Sequence, residues 1–180
     1  QRIASVAIRN ANDGVSLISI SDGALNEIGN VLQRMGELAE QSANGTLSST
    51  QRSALQNEFA SLGSEVTRIA KTTTFNGIQL LSGGSSVSLQ VGFDSSANSQ
   101  IGFTGVSGTL QSLGLGNGNE VLTYSLNAAG TAGQTAALAA LDAVKAGISS
   151  LTTSRGTLGA AESRLNVAIN NLQVARENFA

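Results

Sequence analysis

The 180-residue sequence predicts a mainly α protein. Its fold class is an elongated antiparallel bundle of three long, coiled-coil-like helices, with a small β-hairpin excursion between helices 2 and 3. Three observations predict it. Apolar residues recur at a period near 3.5 through three long segments, the spacing of helices packed side by side along their length. A short turn signal joins the first two segments, which makes them antiparallel neighbours. Only the stretch between them and the third switches to a period of two and to Gly-rich sequence.

The first helix spans residues 1–43. Its seam runs Ile3, Ala7, Asn10, Gly14, Leu17, Ser21, Ala24, Ile28, Val31, Met35, Leu38. At 1.5 Å per residue such a helix is about 65 Å long, a rod rather than part of a globule. The stretch VSLISIS at 15–21 alternates like a strand and has Asp-Gly on both sides, so locally it reads as a hairpin strand. The seven-residue phase crosses it without a slip, which favours helix. Asn10 on the seam is either an edge residue or a polar register marker. At the far end, Val31, Met35, Leu38 and Ser42 form a side built to be hidden, while Arg34, Glu37 and Gln41 lie on the polar side. Asn44-Gly45 then stops the helix.

Ser48-Ser49-Thr50-Gln51 fits a capping box for the second helix. Leu55, Phe59, Leu62, Val66 and Ile69 form its seam. In TTTFNGIQLLSGG, residues 72–84, three β-branched residues weaken the helix and Asn76-Gly77 turns the chain. Val87, Leu89, Val91 and Phe93 alternate as a strand. The run DSSANSQ reads as a turn, with Ile101 and Phe103 on a return strand. Residues 105–120 read as Gly-rich loop, and Val121 to Leu126 as one more short strand.

A second capping box, Thr131 to Gln134, opens the third helix. Its seam is Leu141, Val144, Ile148, Leu151, Arg155, Leu158, Glu162, Leu165, Ile169, Leu172, Arg176, Phe179. The charged members lie at the seam's edge with packed stems, or form a buried register-setting pair. The phase still runs at Ala180, so the sequence reads as a fragment of a longer chain. The expected organisation is 1–84 and 131–180 as two parts of one helical core domain, with 85–130 as a β and loop excursion.

Composition narrows the function. There is no His, Cys, Trp or Pro. That leaves no thiolate nucleophile, no Ser-His pair and no ordinary zinc, copper or haem ligand set, so no cofactor and no metal is expected. Acid-base chemistry would fall to twelve carboxylates, two Lys and one Tyr. A dyad of Asp94 and Glu120 is the one enzymatic arrangement to set against a non-enzyme. GLGNG at 114–118 lacks the Lys and the strand-to-helix context of a phosphate loop. A net charge of −2 and five Phe give no basis for a nucleic-acid partner. No apolar run reaches the ~18 residues of a membrane span, so no membrane insertion is expected. Asn, Gln, Ser and Thr crowd the faces away from the seams, a composition suited to protein contacts.

Three stretches carry a resemblance: DGVSLISISDGALNEIGNVLQRMGELAEQSANGT at 13–46, TTTFNGIQLLSGG at 72–84, and RGTLGAAESRLNVAINNLQVARENFA at 155–180. In this order they resemble bacterial flagellin, the subunit of the flagellar filament. The resemblance covers essentially the whole chain. It implies the core D1 domain of a flagellin without the terminal helices, an extracellular location in the flagellum, and other flagellin subunits as partners in a homopolymer. It also implies which residues face a partner. The polar side of this helix in flagellins contacts the next subunit, and in many members the vertebrate toll-like flagellin receptor reads it. Matched without gaps, the implied interface is Gln33, Arg34, Glu37, Leu38 and Gln41, with Glu58 on the second helix. Position 36 is Gly where many receptor-active members have Arg, and position 40 is Glu where an apolar residue is common. The alternatives are a hook-filament junction protein, which shares the architecture, and a flagellin-like surface protein that binds a carbohydrate or receptor. The single Tyr and absent Trp leave the latter few aromatic platforms.

Overall fold

A computed structural model describes residues 2–83, 86–92, 96–103 and 106–178. Helix α1 runs Arg2–Ser42 and is unbroken through VSLISIS. Two hairpin-like Asp-Gly signals therefore lose to the helical phase, because the apolar residues of this stretch have a helical face to pack against. Helix α2 runs Ser49–Thr72. Ser48 Oγ accepts from Gln51 N–H while the Gln51 side chain accepts from Ser48 N–H, so the capping box closes. Helix α3 runs Gly130–Asn178. It starts before Thr131, so Thr131 lies within the first turn and is not the cap the sequence suggested.

Helix α1 is the axis. Gly36 faces Val144, Gly29 faces Leu151 and Gly14 faces Leu165, so α3 runs antiparallel along the length of α1. Helix α2 packs antiparallel on the C-terminal half of α1 and barely touches α3. The bundle is therefore not a symmetric trio. The third side is filled by residues 106–126, which wedge between α2 and α3. Leu110, Leu113, Leu115 and Leu126 are all buried there, in a stretch that reads as exposed loop and strand. Leu115 lies close to Gly147 of α3, and Leu122 lies over Gly63 of α2. Both ends of the Leu126 peptide are clamped: its N–H donates to Gln56 Oε1 at 2.6 Å, and its carbonyl accepts from Ser42 Oγ at 3.0 Å. Residues 121–126 form no strand; Gly116 and Leu122 make a single bridge.

Strands β1 (Thr74–Phe75) and β2 (Ile78–Gln79) flank Asn76 and Gly77, whose φ values of 51° and 79° are those of a tight hairpin turn. Strands β3 (Val87–Gln90) and β4 (Gln100–Phe103) pair antiparallel, with Leu89 opposite Ile101. Between them Ala97–Ser99 forms a 3-10 turn. This hairpin lies against the N-terminal part of α1, where Leu89 covers Gly14 and Asn10 Nδ2 donates to Gln90 O at 3.1 Å. Asn10 is thus an edge residue with a partner outside the helices. Phe93 and Phe179 lie outside the described residues.

The seams differ from expectation in one consistent way. In each helix the every-seventh row is as read: Ala7 to Ser42 in α1, Phe59 and Val66 in α2, Val144 to Leu172 in α3. The companion row is the other flank. In α1 it is Ala4, Ala11, Ile18, Leu25, Leu32 and Ala39; of the row expected there, Leu17 and Leu38 are buried as read, Ile3 is exposed, and Asn10, Ala24 and Val31 are half-buried. In α2 it includes Gly63 and Ala70, and in α3 Ala140, Gly147 and Ala161. Leu55, Leu62, Ile69, Leu141, Ile148 and Ile169 are half-buried beside it. Small residues at the contact let backbones approach. The larger aliphatics close over the flanks, each recovering part of the ~1.5–3 kcal/mol of full burial. Of the charged seam positions, Arg155 and Glu162 are half-buried and Arg176 is exposed, so all three are edge residues.

Candidate interface on the polar face

The turn between α1 and α2 decides which residues of the two helices meet. Asn44 Oδ1 accepts from Thr46 N–H and Oγ1 at 3.1 and 3.0 Å. Arg52, 1% exposed, donates to the Ser42 and Asn44 carbonyls that α1 leaves at its C-terminus. The resulting register brings Arg34 of α1 beside Glu58 of α2. Arg34 Nε donates to Glu58 Oε1 at 2.8 Å, and Arg34 Nη1 donates to Glu37 Oε2 at 2.8 Å. Arg34 Nη2 also reaches Glu58 Oε1 at 2.8 Å. These bonds hold the guanidinium more firmly protonated than usual, Glu37 first and Glu58 second.

Three predicted residues are thus brought together. All three are exposed, with the Arg34 side chain at 50%. Gln33 and Gln41 are exposed on the same helix. Leu38 is a correction: it is fully buried, so it supports the patch from below and cannot meet a partner while the core is closed. The seam reading places Leu38 on the hidden side, and only the resemblance puts it in the interface. Arg34 is no loose anchor either. One cation between two carboxylates gives the trio a net charge of −1, and Glu37 and Glu58 each keep one oxygen outside the fork. The face therefore presents fixed acceptors and amides to a neighbour.

Several other charged groups are committed elsewhere. Arg155 grips Asp22 through two nitrogens at 2.7 and 3.1 Å and reaches Asn26 Oδ1 at 3.3 Å. Arg68 grips Glu65 at 2.7 and 2.6 Å. The Glu120 carboxylate accepts from Leu110 N–H at 2.6 Å, and Asp94 lies outside the described residues. In GLGNG, the amides of Gly114, Leu115 and Gly116 donate to the carbonyls of Gln111 and Leu110, which takes them from any phosphate. Among the described residues no three His, Cys, Asp or Glu converge as metal ligands, and no helix is long and apolar enough to cross a membrane. A groove of about 640 Å³ lies between the β3–β4 hairpin and α3; Val91, Ile101 and Leu172 line it, with Arg164 among the polar residues. Periodicity could not have found it, since its two walls come from distant segments.

A rod built on two long helices, with its polar groups spread along the sides rather than gathered in a cleft, defines the class of elongated helical subunits. Residues 1–86, just under half of the chain, match the family described as bacterial flagellin N-terminal helical region. Flagellin B of Vibrio anguillarum is 50% identical over 91 residues, which is 50% of this chain and 24% of that protein. The chain thus spans about a quarter of the length of that curated relative. The crystal structure of Bacillus cereus flagellin matches with a TM-score of 0.73 and 29% identity, covering 91% of this chain and 88% of that one. A putative flagellar hook-associated protein from Vibrio parahaemolyticus has the same fold, with a TM-score of 0.77 at 13% identity over 97% of this chain and 87% of that one.

Proposed function

We propose that the chain is the helical core of a structural subunit of the bacterial flagellar filament, working outside the cell by repeating one contact surface into an open helical polymer. The observation that supports this best is the family match over residues 1–86, joined to a flagellin-like fold over 91% of the chain. A heterologous contact that does not close into a ring generates a filament without any catalytic group. The polar face of Gln33, Arg34, Glu37, Gln41 and Glu58 is the surface we assign to the neighbouring subunit. Arg34 is prearranged there by two carboxylates, so little side-chain freedom is lost on contact.

The same face is the one to test against the vertebrate toll-like flagellin receptor. Relative to many receptor-active members, Gly36 lacks a cation at a position that faces α3 and Glu40 adds a carboxylate, so a receptor reporter assay on the Gly36→Arg and Glu40→Ala variants reads out their effect. The test of the main reading is seeded polymerisation of the full-length parent, viewed by negative-stain electron microscopy. Long filaments support the reading. A parent that stays monomeric with seeds present favours a junction protein, whose fold this chain also shares.

A further inference from the structure

We propose that Asn76 is a self-modifying site: together with Gly77 it converts without an enzyme to aspartate and isoaspartate, and the isoaspartate unlatches the β1–β2 hairpin. The proposal rests on the fold alone and not on assembly.

The chemistry needs an asparagine followed by a residue whose backbone nitrogen can reach the side-chain amide. Glycine suits it, because no Cβ shields that nitrogen and its backbone turns freely. The sequence has such a step at Asn44-Gly45, at Asn76-Gly77 and at Asn117-Gly118. At Asn76, the Gly77 nitrogen gives its proton to solvent base and attacks Asn76 Cγ. The bond from that nitrogen to Cγ forms, the Cγ–Nδ2 bond breaks, and ammonia leaves from a five-membered succinimide. Water then opens the ring, at Cγ to give aspartate or at the main-chain carbonyl carbon to give isoaspartate. The net change consumes one water and releases one ammonia, with no oxidant or cofactor.

All of these steps are exposed, so access to water does not separate them. Restraint does. Ring closure must rotate the peptide unit that carries the glycine nitrogen and swing the side chain onto it. At Asn44 the carbonyl of that unit accepts from Arg52 Nη2 at 3.0 Å and from Leu47 N–H at 3.3 Å. Asn44 Oδ1 accepts from Thr46, and the Gln134 side chain lies against Gly45. At Asn117 the same carbonyl accepts from Glu120 N–H at 2.9 Å, while Oδ1 accepts from Asn119 and Val121 N–H at 3.0 and 3.2 Å. Those donors also polarise Cγ, but polarisation does not help a nitrogen that cannot reach it. At Asn76 neither the carbonyl nor the side chain has a hydrogen-bond partner among the described residues. A Cβ on Gly77 would meet nothing within 4 Å. Only β1 and β2, of 2 residues each, hold the turn, and strands that short open easily.

The product acts on what the hairpin holds. Its base is closed by Leu80 N–H donating to Thr73 O at 3.0 Å, and Leu80 and Leu81 then enter the core. Isoaspartate lengthens the main chain inside a tight turn that fits two residues, so the pairing on either side loses its register.

The test ages the folded chain at mildly alkaline pH beside a sample in urea. Fragmentation mass spectrometry assigns amide loss to each asparagine, and an isoaspartyl methyltransferase reports the isoaspartate formed. In urea the Asn-Gly steps should react at similar rates. In the folded chain Asn44 and Asn117 should each slow by at least about tenfold, because ring closure there breaks several hydrogen bonds, while Asn76 stays within about threefold of its urea rate. Hydrogen exchange at the Leu80 amide should quicken as isoaspartate accumulates. Equal slowing of all the Asn-Gly steps on folding refutes the site, as does faster loss at Asn44 or Asn117 than at Asn76. Isoaspartate at Asn76 with Leu80 exchange unchanged overturns the unlatching.

Discussion

Arg52 donates through Nε to the carbonyl of Ser42 at 3.0 Å, from a side chain that water scarcely reaches. A second bond runs from Nη2 to the Asn44 carbonyl at 3.0 Å. A buried guanidinium is here satisfied by helix-end carbonyls, whose partial negative charge it complements. The sequence places Arg52 on no seam, yet it holds the α1–α2 turn. Arg52→Met keeps much of the volume and removes the bonds, and about 2–4 kcal/mol of stability should be lost. Urea unfolding followed by circular dichroism measures this.

The Asp22–Arg155 pair sets a pH dependence. The hydrogen bond from Arg155 lowers the Asp22 pKa, outweighing the opposing effect of burial. A carboxylate with a lowered folded-state pKa contributes stability that is full above its unfolded value near 4 and is lost as pH falls through the folded value. The stability gap between the parent and Asp22→Asn should therefore be constant from about pH 7 to 5 and close below about pH 4. Thermal melts across that range check it. A gap that persists at pH 2 would assign the effect to side-chain shape instead.

Leu115 lies in what reads as Gly-rich loop, yet none of its surface is exposed. Leu115→Ala should cost about 2–5 kcal/mol, the loss expected of a core leucine. A loop leucine would lose a few tenths. The same urea titration separates the two outcomes.

Arg34→Ala and Glu58→Ala remove an exposed pair, and surface pairs add little to folding. Both variants should melt like the parent as monomers. In the full-length protein both should lengthen the lag of seeded assembly or raise the critical concentration, as light scattering reports. Parent-like assembly of both would make the patch a solvated face.

Much of the architecture was legible because it is local. The capping box at Ser48, the stop after Ser42 and the turn at Asn76-Gly77 each depend on residues within one turn of each other. The seven-residue phase carried α1 through VSLISIS correctly, since a strand there would strand the helical seam on either side. The candidate interface was partly legible for the same reason: Arg34 and Glu37 are neighbours on a helix whatever surrounds it. That Glu58 is their third member came from the resemblance, and the antiparallel register now accounts for it.

Periodicity alone determined that three helices exist, how long they are and which every-seventh residues point inward. It could not choose between the two rows flanking that spine. In α2 and α3 large aliphatics made one row look right, while contact between helices selected the row of small residues, Gly63 and Ala70 in α2 and Ala140, Gly147 and Ala161 in α3, because close backbone approach needs small side chains. Nor could it see the wedge of residues 106–126, whose leucines follow no period and are buried only because α2 and α3 leave a gap.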